Sequence, residues 1–273
     1  MAFLQNKNPT IHLVDPFGTG SNNHFETVDF YSKLPKKYQS KQRKYANFEK
    51  IRLSIPNRIS IIGSSGSGKS NTLLNLITGM NCFDKIYLFV KNPQEPLYNF
   101  FISEIREIER KMDVDVLLVS TELTDLPEVD DFDASENNLV VFDDMISESS
   151  MKLKKVQDLW IRGRKHNITT IFLSQSFYKI PLLVRQNTDV IIFKKIGTKR
   201  DLSMILSEYS NLGLDMDTLK SLYKYCDTTN IKNFFMIDMS IGQSPEYLFR
   251  KNFAPIPFNS QGESLRDENE TIT

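Results

Sequence analysis

"SIPNRISIIGSSGSGKSNTLLNLI", residues 54–77, runs a short apolar strand into a loop of glycine and serine and out into a leucine-spaced helix. The stretch fits G-x-x-x-x-G-K-[ST], with Gly63, Ser64, Ser65, Gly66, Ser67, Gly68, Lys69 and Ser70 in order. Ile59, Ile61 and Ile62 precede the loop and Leu73, Leu74, Leu76 and Ile77 follow it, which is the strand-loop-helix context the motif requires. Glycines let successive backbone N–H groups turn inward, and the start of the helix adds its positive dipole end, so the loop is suited to a polyphosphate. Lys69 is expected to reach the β- and γ-phosphates and the Ser70 hydroxyl to ligate Mg²⁺, with Asn71 completing the nucleotide-binding run.

Outward from this loop, short β-branched runs alternate with amphipathic segments. Strands are expected at 58–63, 85–90, 115–119, 138–143, 168–174 and 189–194, and helices near 68–79, 94–111, 148–166, 199–209 and 215–226. Strands that are apolar almost throughout, separated by helices, imply an α/β domain whose mainly parallel sheet is covered on both faces. "FFMIDMS" and "EYLFRK", on either side of Gly242-Gln243-Ser244-Pro245, read as a hairpin at the sheet edge. The pattern divides the chain into an arm or small appendage (1–50), the α/β domain (51–250) and a polar tail (251–273) expected to be disordered after Pro257. The arm carries a basic run from Lys33 to Arg52, eight Lys/Arg against the single acid Glu49.

Composition narrows the function. The 273 residues hold 34 Lys plus Arg and 34 Asp plus Glu, so no global field draws the protein to nucleic acid or an anionic membrane, and any such contact is local. Two cysteines, Cys82 and Cys226, lie far apart with no C-x-x-C or His/Cys cluster, which suggests neither a disulfide framework nor a zinc site. The N-terminus lacks an apolar core of signal-peptide length, and no stretch approaches the roughly 20 apolar residues of a membrane span. A protein with reduced thiols that is not secreted is expected.

A phosphate loop needs a metal partner from another strand, and "NLVVFDD" supplies it. Asp143, at the carboxyl end of that strand, is expected to hold Mg²⁺, and Asp144 to polarise the attacking water. Asp144 stands where many such ATPases have Glu and is one methylene shorter. A helix N-cap pair is the other reading of the two acids. "ITTIFLSQS" ends in Ser174-Gln175-Ser176, on a strand expected between the other two, where the Gln175 amide can sense the γ-phosphate and orient water.

Together, GSSGSGKS after a strand, "LVVFDD" and "RGRKHNITTIFLSQSFYKIPLLVRQNTDVIIFKK" resemble the genome-packaging ATPases of eukaryotic DNA viruses, in the FtsK–HerA branch of P-loop ATPases. The third block is the specific one, and the resemblance covers about residues 55–240. It implies a RecA-like (ASCE) P-loop NTPase fold and ATP hydrolysis with Mg²⁺ by a homo-oligomeric ring, pentamer or hexamer. It further implies sequence-independent packaging of double-stranded DNA through a capsid or portal-vertex protein. The expected location is the host-cell cytoplasm (virus factory) and the virion. By motif position the catalytic set is Lys69, Asp144 and Gln175, with Ser70 and Asp143 at the metal. In such rings an arginine from the neighbour completes the site, and Arg162, Arg164 and Arg185 are all candidates.

The segment "MKLKKVQDLWIRGRKH" clusters cations suited to phosphate contacts of a motor that grips any DNA, or else forms a solvated helix face. Residues 122–136 hold seven acids and no base, and are expected to meet a protein partner. Trp160 reads as helix core, and His12, His24 and His166 receive no role. Other readings of the chain are a cellular or plasmid-type DNA translocase of the same branch, a P-loop small-molecule kinase or GTPase, and a non-catalytic scaffold. No N-K-x-D guanine signature is present.

Overall fold

The computed structural model describes Pro35, residues 45–240 and residues 244–257. The expected disordered tail after Pro257 and most of the expected arm lie outside the described residues. In chain order the strands are β1 (Arg58–Ile62), β2 (Lys85–Val90), β3 (Leu117–Ser120), β4 (Asn138–Asp143), β5 (Ile168–Ser174), β6 (Val190–Phe193), β7 (Phe235–Asp238), β8 (Phe249–Lys251) and β9 (Ala254–Pro255). The α-helices are α1 (Phe48–Ile51), α2 (Lys69–Met80), α3 (Pro96–Met112), α4 (Ser150–Arg162), α5 (Leu182–Gln186), α6 (Lys199–Ser207) and α7 (Met216–Tyr225).

The strands form one sheet in the order β3-β2-β4-β5-β1-β6-β7-β8-β9. The first six positions in this order are mutually parallel, and β7, β8 and β9 pair antiparallel at the far end. The C-terminal hairpin is therefore present, and β9 continues the sheet past it through a turn in which Asn252 takes a left-handed φ of 58°.

The central strands are apolar over most of their length because successive side chains enter different cores. On β4, Leu139 and Val141 join the core built with Leu73, Leu76 and Met80 of α2 and with Tyr98 and Phe101 of α3. Val140 and Phe142 face the other side, against Val156, Leu159 and Trp160 of α4, Ile205 and Leu206 of α6, and Leu219 and Leu222 of α7. On that second face phenylalanines pair across the strands. Phe89 stacks on Phe142 at 5.6 Å between centroids, and Phe235 stacks on Phe193 and Phe249 at 6.1 and 6.2 Å. Trp160 is buried core, edge-on to Phe172. Ahead of β1, the Tyr45 hydroxyl donates to Leu53 O at 3.0 Å and the Asn47 amide to Gly79 O at 2.9 Å, which seats α1 on α2.

Most element boundaries shift by one or two residues from expectation, and for two of them the reason is identifiable. β3 begins two residues late because the buried Glu109 carboxylate accepts the backbone N–H of both Val116 and Leu117, each at 2.7 Å, at the strand's entrance. Burial is the largest single influence on the Glu109 carboxyl and raises it, but these two bonds and Arg106 together outweigh burial and hold it below its usual range. α4 starts at Ser150 because the Ser149 hydroxyl caps it, accepting from Lys152 N, and it tightens to a 3₁₀ turn from Gly163. Among the described residues no helix is long and apolar enough to cross a membrane.

Candidate nucleotide site

β5 lies between β1 and β4, so the loops that follow these three parallel strands open at one edge of the sheet. Ligands of open α/β sheets bind at the carboxyl ends of strands for this reason. A cavity of about 320 Å³ opens there, lined among others by Lys69, Ser70, Asp143, Asp144 and Gln175. Sequence positions more than a hundred residues apart thus share one space.

The phosphate loop is fastened at both sides. Gly63 N donates to Ser174 O at 3.1 Å, and Ser64 N to Lys195 O at 2.9 Å. Two glycines are sterically required. A Cβ on Gly63 would meet Lys194 Cβ and Ser67 Oγ at 2.6 Å, and Gly68, with φ +88°, would drive one into Ile231 Cγ1 at 2.5 Å. Gly68 is also the N-cap of α2, and no side chain caps that end. The amide donors of a 12-residue helix are left to a ligand in the cavity.

Lys69 donates to Gly63 O at 3.0 Å and Ser64 O at 3.1 Å, so its ammonium lies across its own loop. Burial lowers its pKa, while Asp143, Asp144 and Glu95 pull it back up. Asp143 is raised chiefly by burial, against the Tyr98 hydroxyl and Lys69, which lower it. The Tyr98 hydroxyl donates to Asp143 Oδ2 at 2.5 Å. Asp144 is exposed and takes a left-handed φ of 58°, which turns the chain out of β4 into a 3₁₀ turn. It stands at the N-cap of that turn, but its side chain makes no cap bond, so the N-cap reading of the acid pair fails. An all-oxygen donor set of Ser70 hydroxyl and Asp143 carboxylate on one cavity fits a hydrated Mg²⁺. Gln175 is exposed just past β5, in a turn fixed by the Ser174 hydroxyl, which donates to Ser176 O at 2.8 Å and accepts from Ser176 N at 3.1 Å.

Sequence reasoning missed Lys91, Glu95, Tyr98 and Ile231, all of which line the cavity. The available signal was strand order: once β2 is placed beside β4, the segment after β2 must lie over the site. Lys194 was also missed. It is fully buried, pushed down to about 8 by burial, and donates to Ile231 O at 2.8 Å and Asn233 O at 2.6 Å. It thereby ties the loop that carries Ile231 to the end of β6.

None of Arg162, Arg164 and Arg185 lines the cavity of its own chain. Arg162 grips Asp130 through two bonds of 2.8 Å and Asp158 through one of 2.9 Å. Arg164 reaches Asp189 at 3.5 Å, beside the start of β6. Arg185 stacks over Phe177 and Tyr178, at 4.9 and 5.3 Å from their ring centroids. The basic helix and the acidic segment, read apart as faces for DNA and for a protein, meet each other instead. Lys152 pairs with Glu122 and Glu148, Lys155 with Glu128, and Arg162 with Asp130. α4 runs back along the sheet under residues 122–131, and opposite charges there neutralise one another.

No curated protein matches the chain. Among solved structures it is similar to B204, the DNA-packaging ATPase from Sulfolobus turreted icosahedral virus, at 14% identity over 75% of this chain and 100% of that one, with a TM-score of 0.48. It is also similar to the genome packaging NTPase B204 from Sulfolobus turreted icosahedral virus 2 in complex with AMPPCP, at 12% identity over 74% and 99% of the two chains, TM-score 0.49. EscN, the ATPase of the enteropathogenic E. coli type III secretion system, shares 18% identity over 60% of this chain and 47% of its own, TM-score 0.37. The model of the poxvirus A32 protein family matches residues 45–247, from the first packed residues before β1 through the phosphate loop, the acid pair and the Gln175 strand to the C-terminal hairpin, and the chain belongs to that family.

Proposed function

We propose that the protein is the ATPase of a viral genome-packaging motor, hydrolysing ATP with Mg²⁺ to drive double-stranded DNA into a capsid. The observation that carries this reading is the convergence of Lys69, Ser70, Asp143, Asp144 and Gln175 on one cavity at the ends of three adjacent parallel strands. Family membership and the motif resemblance supply the packaging role. The uncapped α2 and Lys69 would hold the triphosphate, and Ser70 and Asp143 would hold the cation, which would supply neutralisation of the phosphate charge. Asp144 takes the water's proton, and Gln175 orients that water against the γ-phosphate.

The partners proposed are double-stranded DNA bound without sequence preference, a capsid or portal-vertex protein, and copies of this chain in a pentameric or hexameric ring. The setting proposed is the cytoplasmic virus factory and the virion. The proposed division remains an arm at 1–50, the ATPase domain at 51–250 and a tail at 251–273. ATP hydrolysis by the purified chain that rises on adding double-stranded DNA is the expected result. Turnover indifferent to DNA would sink the motor reading and favour a kinase or a scaffold.

The acid pair divides the work. Asp143→Asn is expected to weaken Mg²⁺-dependent nucleotide binding, and Asp144→Asn to leave binding intact while slowing hydrolysis on the order of 10²-fold, as for loss of a general base. Nucleotide affinities and rates that change alike in both variants would count against this division.

A neighbour's arginine is proposed to stabilise the transition state, so its loss spares ATP binding and slows hydrolysis by roughly tenfold or more. Arg162 must leave Asp130 and Asp158 to serve, whereas Arg164 gives up one long contact. Arg164→Ala is therefore expected to show the larger defect. Lys69→Ala subunits still present their arginines, so mixing them with the arginine variant should restore some turnover. Absence of any rescue would move the role to Arg185 or exclude this kind of ring.

A further inference from the structure

Tyr98 enters the nucleotide site from α3. Its ring is 1% exposed and packs in the core shared with α2, a place phenylalanine would fill equally well. A phenol hydroxyl in such a place costs free energy unless it is hydrogen-bonded, so its partner carries the reason for it. That partner is one of the two residues read as metal ligands. The Tyr98 hydroxyl donates to Asp143 Oδ2 at 2.5 Å.

A phenol has one proton to give and can accept another. Here the proton it gives goes to Asp143 Oδ2, which fixes the rotation of the carboxylate and leaves Oδ1 for a cation in the cavity that Ser70, Tyr98 and Asp143 all line. The bond also joins α3 to the end of β4.

We propose that Tyr98 is a positioning residue of the Mg²⁺ site, its hydroxyl orienting the Asp143 carboxylate toward the cation. The proposal rests on the reading of Ser70 and Asp143 as the Mg²⁺ ligands. Its chemistry is that of outer-shell partners generally, whose loss lowers metal affinity while the ligands themselves stay in place.

The test is Tyr98→Phe, which keeps the ring and removes only the hydroxyl. Binding of a fluorescent ATP analogue is titrated in EDTA and across Mg²⁺ concentrations, and the thermal unfolding midpoint of the nucleotide-free protein is measured alongside. With Tyr98→Phe the Mg²⁺ concentration for half-maximal enhancement is expected to rise about tenfold or more, while affinity in EDTA stays within about twofold of the parent protein, the pattern of a lost outer-shell bond. In an Asp143→Asn background the same change is expected to move the Mg²⁺ midpoint hardly at all, because the carboxylate it orients is gone. An unshifted Mg²⁺ midpoint overturns the proposal, as does an equal loss of affinity with and without Mg²⁺, which would mark a packing role. If the parent protein binds the analogue with no Mg²⁺ dependence, the metal reading of Ser70 and Asp143 falls first, and the role of Tyr98 with it.

Discussion

Lys69→Ala protein is expected to hydrolyse ATP on the order of 10²–10³-fold more slowly than the parent, the scale of removing one donor that faces developing charge. The side chain is half-buried and feels the carboxylates of Asp143, Asp144 and Glu95, so its charge acts in a site partly withdrawn from water. It lies across Gly63 O and Ser64 O, within the cavity that a γ-phosphate would enter, and moving to that phosphate exchanges two neutral acceptors for an anion. The fold should survive, because the ammonium contacts only its own loop and α2 is held through Leu73, Leu76 and Met80. Steady-state phosphate release, with circular dichroism as a control, measures the effect. Turnover retained above about a tenth of the parent rate, far from the loss seen when such a donor goes, would remove the phosphate loop from the assigned role.

Much of this site was legible because its chemistry is local in sequence. Lys69 and Ser70 sit in a fixed spacing, Asp143 closes an apolar run, and Gln175 closes another. Strands that are buried on both faces announce themselves as unbroken apolar segments, and β4 and β5 were located to the residue. What escaped depends on which segments the topology brings together. Tyr98 is three residues into a helix whose apolar stripe reads only as core, and its hydroxyl becomes meaningful once β2 stands beside β4. Ile231 belongs to a loop some 160 residues beyond Asn71, yet its carbonyl lies 3.5 Å from that side chain. The charge runs misled for the same reason. Seven acids and a basic helix look like two surfaces in a linear chain, and the return of α4 along the sheet makes them one set of ion pairs. Such exposed pairs are screened by water and add little stability, so they orient α4 more than they stabilise it.

The largest stability effect is expected at Arg250, a residue to which no sequence pattern drew attention. Arg250 and Asp238 are both fully buried and ion-paired on the neighbouring strands β8 and β7. The guanidinium also donates to Ile51 O, Arg52 O and Tyr247 O, each at 2.9 Å, and lies over the Tyr247 ring. One side chain therefore joins the C-terminal hairpin to the segment that leads into β1 and the phosphate loop. Burial lowers its pKa, and Asp238 chief among its neighbours opposes that. Removing one partner of a buried pair costs about 3–5 kcal/mol, because the desolvated charge left behind loses its counter-charge. Here Arg250→Met also strips donors from three backbone carbonyls. Set against a total stability of about 5–15 kcal/mol for a folded domain, the loss is a large fraction of what holds the protein together. Urea unfolding followed by circular dichroism should show a lower midpoint with an unchanged slope. Adding Asp238→Leu to Arg250→Met should recover part of the loss, since an apolar replacement for both partners removes the stranded carboxylate. A single-variant cost below about 1 kcal/mol, the range of an exposed ion pair, would show that the pair is solvated and that the hairpin does not anchor the segment before β1.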